Sequence, residues 1–181
     1  MNGIISNGSG SLTAGNITVG TTAAAASDYQ CIISNASGHM ETGDVTVSGS
    51  LNLSTASGPA ALGQVSAAAY TVSTASGSLK LTGLSGNGSL SCASGSIKAG
   101  TLIPTGPVSM DNGSGSIRAS IQENTGLEFY AAHIGPGSIN AFFPIPDKKS
   151  ASAQSPVQYG NAPYYQITAS TQTGSITLNK K

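Results

Sequence analysis

Residues 73–81, Ser-Thr-Ala-Ser-Gly-Ser-Leu-Lys-Leu, contain one copy of a short repeat. Its tetrad, Ser-Gly-Ser followed by Leu or Ile, occurs eight times in the chain when close variants are included. The glycines of the eight tetrads are Gly10, Gly38, Gly58, Gly77, Gly95, Gly115, Gly137 and Gly174. From Gly38 to Gly137 they lie 18 to 22 residues apart. This period is too short for an independent domain and suits one turn of a β-solenoid.

Apolar residues recur at fixed distances from each tetrad glycine, which we number position 0. Position +2 is occupied by Leu12, Met40, Ala60, Leu79, Ile97, Ile117, Ile139 and Ile176. Position −5 is occupied by Ile5, Ile33, Leu53, Val72, Leu90, Met110, Ala132 and Ala169. Position +4 is also mostly apolar, and apolar residues two apart are typical of a strand with one buried face.

We therefore predict an all-β fold, a single-domain β-solenoid that resembles a parallel β-helix and spans residues 1–181. It has about eight coils and an irregular C-terminal insert at about residues 142–166. Small corner residues allow coils to stack at the inter-strand distance of about 4.8 Å. Because Asn2 to Ser9 already reads as part of a coil, we expect the chain to be a fragment of a longer precursor.

The composition argues against some partners. Only 8% of the residues are charged and the net charge is zero, whereas nucleic-acid binding needs a basic surface. The chain has no run of about 18 apolar residues, so we expect no membrane span. Cys31 and Cys92 lie at positions −7 and −3, three coils apart. That separation is about 14 Å, too far for a disulfide, so we expect two free thiols, with Cys31 facing the core and Cys92 in the polar corner.

Two sets of residues are candidates for ligand contact. Lys80, Lys98 and Arg118 all occupy position +3 of successive coils, where they predict an exposed column of charge. This column could grip an anionic polymer such as a teichoic or uronic acid, or it could be a solvated face that prevents wrong strand pairing.

The insert from Phe142 to Gln166 provides the second set. We expect Phe142, Phe143 and Ile145 to cap the last coils. Tyr159, Tyr164 and Tyr165 then remain for sugar contact, because tyrosine has an apolar face and a polar tip.

Nothing in the sequence predicts a catalytic site, a metal site or a cofactor. The acidic residues are scattered, and His39 and His133 belong to coils that are far apart. Glycoside hydrolysis needs two carboxylates that flank the substrate, so a polysaccharide-processing enzyme on a β-helix remains an alternative only if the fold gathers ionisable groups in one pocket.

Two structural roles stay open as further alternatives: an ice-binding solenoid and a self-assembling filament. The first depends on position −3, which is occupied by Asn7, Asn35, Thr55, Thr74, Cys92, Asn112, Ile134 and Thr171. This column is too mixed for a regular threonine array. The second requires coils at the two ends that can stack on one another.

The repeats resemble a bacterial family of adhesin-like β-solenoids of unknown function. Matching segments are residues 73–79, residues 111–117 and residues 171–176, and the resemblance covers nearly the whole chain. It departs at position +1, where the family has Asp and this chain mostly has Ser. The resemblance implies a non-enzymatic module of the cell surface or cell envelope, extracellular or envelope-bound, that binds or spaces there. Its implied partner is a glycan or another protein.

Overall fold

A computed structural model describes residues 2–20, 29–123, 125–133, 136–145, 150–151 and 156–181. The described residues form sixteen strands and no helix. The strands are β1 Asn2–Asn7, β2 Leu12–Ala14, β3 Ile17–Val19, β4 Gln30–Ser37, β5 Met40–Thr42, β6 Val45–Ser57, β7 Ala60–Ser76 and β8 Leu79–Ser94. They continue with β9 Ile97–Ser114, β10 Ile117–Ile121, β11 Gly126–His133, β12 Ile139–Ala141, β13 Ser150–Ala151, β14 Val157–Tyr159, β15 Tyr164–Thr173 and β16 Ile176–Lys180.

The strands stack in parallel with the tetrads in register, which confirms the predicted all-β solenoid. Ile97 pairs with Leu79 on one side and with Ile117 on the other, so position +2 forms one continuous column. All of its members from Met40 onwards are at most 1% exposed. Position −5 is equally buried from Ile33 to Met110. Burial of these two columns removes apolar surface from water along the whole stack, and this supplies the main stabilisation of the fold.

The coils do not follow one another in chain order at the C-terminal end. Strand β15 pairs with β9 on one side and with β11 on the other, and β16 likewise lies between β10 and β12. The last coil of the chain is thus inserted between the sixth and the seventh. The seventh coil becomes the end of the described stack.

The predicted register is wrong by one residue in the seventh coil. We predicted Ala132 at position −5, but Ala131 is the residue that pairs with Ala169 of the column, and His133 pairs with Thr171. Gly137 comes four positions after His133, whereas Gly174 comes three positions after Thr171. The seventh coil therefore holds one additional residue before its corner. Ile134, predicted at position −3, lies outside the described residues.

Both cysteines are free, as predicted, and both are buried. Cys31 lies in the core, and burial raises the pKa of its thiol. Cys92 stands between Thr74 and Asn112 in the column at position −3. Burial raises its pKa as well, although a backbone hydrogen bond at Ser94 opposes that change.

The insert caps the seventh coil, as predicted from Phe142, Phe143 and Ile145. Strands β13 and β14 pair antiparallel with β11 at the edge that β15 leaves free. Phe143 is 4% exposed, and Phe142 and Ile145 pack against the core. The Phe143 ring centroid lies 5.7 Å from that of Phe129, edge to face, an arrangement that aromatic pairs prefer. Residues 146–149 and 152–155 of the insert lie outside the described residues.

The first coil of the chain differs from the inner coils in its strand pairing. Among the described residues, β1 pairs only with β4, β2 only with β5 and β3 only with β6. Each strand of this coil therefore has one edge with no described strand beside it. Ile4, which points away from the core, is 68% exposed.

Candidate functional site

A long groove follows the corner just before the tetrad glycines. Its volume is about 770 Å³. It is lined at position −4 by Ser34, Ser54, Ser73, Ser91, Asp111 and Ser170, and at position −2 by Ala36, Ala56, Ala75, Ala93, Gly113 and Gln172. Residues at position −3 line its floor in seven coils. Seven coils at the inter-strand spacing make the groove roughly 29 Å long.

The corner is closed by hydrogen bonds between position −3 and the glycine carbonyls. The Asn112 side-chain amide donates to Gly95 O at 3.0 Å, and the Thr171 hydroxyl donates to Gly115 O at 3.0 Å. The Cys92 thiol makes the same contact with Gly77 O at 3.1 Å. These side chains are committed to the fold, so position −3 supplies a rigid floor rather than exposed ligand-binding groups.

Glycine is required at the corner for two reasons. Gly95 has φ of 135°, in the left-handed region that residues with a Cβ rarely adopt. A Cβ at this position would also collide with the carbonyl oxygen of Gly77 in the preceding coil. The coils can therefore approach closely along the column of tetrad glycines, and the groove runs beside this column without interruption.

Serine hydroxyls and alanine methyl groups give the groove a mixed lining. The alanines at position −2 are exposed and the serines at position −4 are half-buried. One carboxylate, Asp111, lies in the lining and accepts hydrogen bonds from Ser170 Oγ and, at 2.8 Å, from Ser109 Oγ. The lining thus offers hydrogen-bonding groups and small apolar surfaces at each coil, with a charge near one end.

The predicted cationic column is present. Lys80 pairs with Lys98 and Lys98 with Arg118, and all three side chains are exposed. The ion pairs of the described residues are Lys180 with Glu123 and, if the histidine is protonated, His39 with Glu41. Neither ion pair involves the column. The column lies on the far side of the glycine corner from the groove.

The three predicted tyrosines do not share one surface. Tyr159 packs against Phe142 and Phe143, with ring centroids 5.1 and 5.3 Å away. Tyr165 and Tyr159 both lie opposite Leu127 on neighbouring strands. Tyr164 is 42% exposed, and because side chains alternate along a strand it faces the other way from Tyr165.

A small cavity of about 110 Å³ lies beside Tyr159. Lys180 Nζ and Glu123 Oε1 are 2.7 Å apart at its wall. The Lys180 ammonium, as hydrogen-bond donor and as charge, holds the pKa of the Glu123 carboxyl below its usual value. The pair links the last coil to the turn after β10.

Other kinds of site find little support in the described part of the chain. No three His, Cys, Asp or Glu side chains come close enough there to hold a metal ion. None of its elements is a helix of the length and apolar character needed to cross a membrane.

These features define a β-solenoid repeat protein with a corner groove and a cationic column on its surface. The Toastrack DUF4097 family model matches residues 4–179, and the chain belongs to this family. Neither the search of curated proteins nor the search of solved structures found a significant match.

The groove was missed by sequence reasoning, although its residues were visible as a polar corner. Positions −4 and −2 hold only Ser, Ala and a few other small residues in most coils, and such residues carry no chemical signature. The column at position −3 is the sequence signal that could have indicated the groove. If position −3 faces inward, the alternation of side chains along a strand places positions −4 and −2 together on the outer surface.

Proposed function

We propose that this solenoid is a non-enzymatic binding module of the cell surface or cell envelope, and that its groove holds an extended polymer such as a glycan. The observation that carries the proposal is the continuity of the groove through seven coils. A lining that repeats at every coil suits a ligand that itself consists of repeating units. Hydroxyl groups beside methyl groups also suit sugars, which present hydroxyls and C–H surfaces together.

Binding is favoured over catalysis by the content of the groove. Asp111 is its one carboxylate among the described residues, and no histidine lines it. Hydrolysis by two carboxylates needs a partner for Asp111. The Cys92 thiol has a raised pKa and is 2% exposed, whereas a nucleophilic cysteine needs a lowered pKa and access to substrate.

The two structural alternatives also receive less support. The threonines that an ice-binding surface would present are buried at position −3, so they form no exposed array. Head-to-tail stacking into a filament needs two complementary open ends, but β13 and β14 cover the seventh coil. An extracellular or envelope location follows from the resemblance, and protease treatment of intact cells would test it.

The experiment compares three forms of the protein on an array of extended glycans. Ala56→Leu with Ala75→Leu fills the middle of the groove at two exposed positions. Ala68→Leu makes the same change at an exposed position of β7 outside the groove. We expect the intact protein and the Ala68 variant to bind, and the double variant to lose at least ten-fold in affinity. Equal binding by all three forms, or no binding by the intact protein, would contradict the proposal.

A further inference from the structure

A row of serine hydroxyls runs beside the cationic column. Ser78, Ser96 and Ser116 lie at position +1, two residues before Lys80, Lys98 and Arg118. Together we call these six residues the serine–cation face. Ser78 and Ser116 are exposed and Ser96 is half-buried, so the hydroxyls and the cations are open to solvent on the same three coils.

The serine hydroxyls are oriented by the backbone of the next coil. Ser78 Oγ accepts a hydrogen bond from the Ser96 amide at 3.3 Å, and Ser96 Oγ accepts one from the Ser116 amide at 3.4 Å. Ser116 Oγ likewise accepts one from the Ser175 amide at 3.4 Å. Each oxygen is occupied as an acceptor, and no group in the described part of the chain accepts its hydroxyl hydrogen. The row therefore offers donors to an outside acceptor.

The three cations have no counter-charge nearby in the column. Ala61 separates Lys80 from Glu41, which is two coils away. Two coils correspond to about 10 Å, roughly one Debye length at physiological ionic strength. The mutual repulsion of the cations is thus left uncompensated by the described acidic groups, and a bound anion would relieve it.

We propose that the serine–cation face binds a linear polymer that carries one anionic group per repeating unit, as phosphodiester and uronate polymers do. Three cations in a line and a parallel row of donors match an extended chain of anions rather than one compact ion. Arg118 and the lysines supply charge, and the serines supply directed hydrogen bonds to anionic oxygens. The site does not depend on the groove or on the function proposed for it.

The described part of the face contains no aromatic side chain. Single-stranded nucleic acids are usually held by stacking of their bases on aromatic rings. The face therefore favours polymers recognised through their anionic groups alone.

The test measures binding of a fluorescent oligogalacturonate and of a polyphosphate of similar length, in 50 mM and 300 mM salt. The variant K80Q/K98Q/R118Q removes the column at exposed positions. The control K148Q/K149Q/K181Q lowers the net charge by the same amount. We expect the intact protein to bind at least one polymer at low salt, with at least ten-fold loss in the column variant and less than two-fold loss in the control.

A second pair of variants separates the role of the hydroxyls from a general charge effect. Ser96→Ala with Ser116→Ala keeps every charge and should weaken binding at least three-fold, whereas Ala68→Leu, at an exposed position outside both the serine–cation face and the groove, should leave it unchanged. Equal losses in the column variant and its control would overturn the proposal. Failure of both polymers to bind the intact protein, or equally tight binding of single-stranded DNA, would overturn it too.

Discussion

At the scale of the residue, the corner shows how side chains and backbone depend on one another. The glycine allows two coils to approach closely, because a Cβ at this position would collide with the backbone of the neighbouring coil. In most coils the side chain at position −3 then donates to a glycine carbonyl, as Asn35 does to Gly38 O at 3.2 Å, whereas the Thr55 hydroxyl has no partner among the described residues. A buried carbonyl with no partner would cost free energy. Polar residues at position −3 are therefore part of the core.

The register can be tested at two adjacent residues. Ile97 is fully buried and Lys98 is exposed. Ile97→Asp places an unpaired carboxylate in the core, and we expect the free energy of unfolding to fall by more than about 3 kcal/mol. Lys98→Ala should change it by less than about 0.5 kcal/mol. Urea denaturation measures both, and similar losses would show that the two residues do not face opposite sides.

Replacement of Tyr70 is predicted to raise the stability of the fold rather than lower it. Its side chain is 2% exposed, and its hydroxyl is buried with no hydrogen-bond partner among the described residues. Replacing it by Phe removes the desolvation cost of the hydroxyl, and we expect stability to rise by about 1 kcal/mol. Tyr130→Phe is the control, because the Tyr130 hydroxyl is bonded to Glu128 Oε1 at 3.0 Å and its loss should bring no gain. A loss of stability in Tyr70→Phe would mean that the hydroxyl has a partner.

The same residue predicts a dependence on pH. Burial raises the pKa of Tyr70 above its ordinary value of 10.0. The unfolded chain therefore ionises this tyrosine at a lower pH than the folded chain does. Its contribution to stability is complete below pH 10 and is lost as the pH rises above that value. Tyr70→Phe should flatten this alkaline loss in urea denaturation between pH 9 and pH 11, and an identical slope for both proteins would contradict the assignment.

At the scale of the element, the insert acts as a cover for the end of the stack. An end coil exposes apolar side chains and unpaired strand edges, which favour aggregation. Strands β13 and β14 pair with that edge, and the rings of Phe129, Phe142, Phe143 and Tyr159 close over the core. Seven of the nine aromatic residues of the chain lie between Phe129 and Tyr165.

Phe143 is the residue on which the cap depends most. It contacts the rings of Phe129, Phe142 and Tyr159 and is 4% exposed. Phe143→Ala should cost about 3–5 kcal/mol by leaving a cavity. It should also increase light scattering with concentration, because the end coil becomes accessible. Tyr164→Ala, at an exposed position of the neighbouring strand, should change neither quantity much. A stable and monomeric Phe143 variant would show that the end is covered in another way.

At the scale of the whole molecule, sequence reasoning was sufficient for the fold and insufficient for the order of the coils. The apolar columns and the glycine spacing identify strands, corners and buried faces, because both follow from one local period. The insertion of the last coil between the sixth and the seventh is different. It depends on which strand edge is still unpaired when β15 pairs. The sequence does not identify that edge, because the coils have similar apolar residues at positions +2 and −5. The two candidate sites also differ in whether the sequence predicts them. The cationic column follows from the register of the repeat, whereas the groove depends on how the chain bends at the corner.

The order of the coils is the central structural claim. The last coil of the chain stacks on the sixth, where it extends the groove and places Ser170 beside Asp111. Disulfide trapping tests it directly in a protein whose natural cysteines are replaced by Cys31→Ala and Cys92→Thr. Residues paired across parallel strands lie close enough for a disulfide. We predict that D111C with S170C forms an intramolecular disulfide under mild oxidation, detected by mass spectrometry, and that D111C with A132C does not. Coils stacked in chain order would give the reverse result, with the bond at residue 132 and none at residue 170.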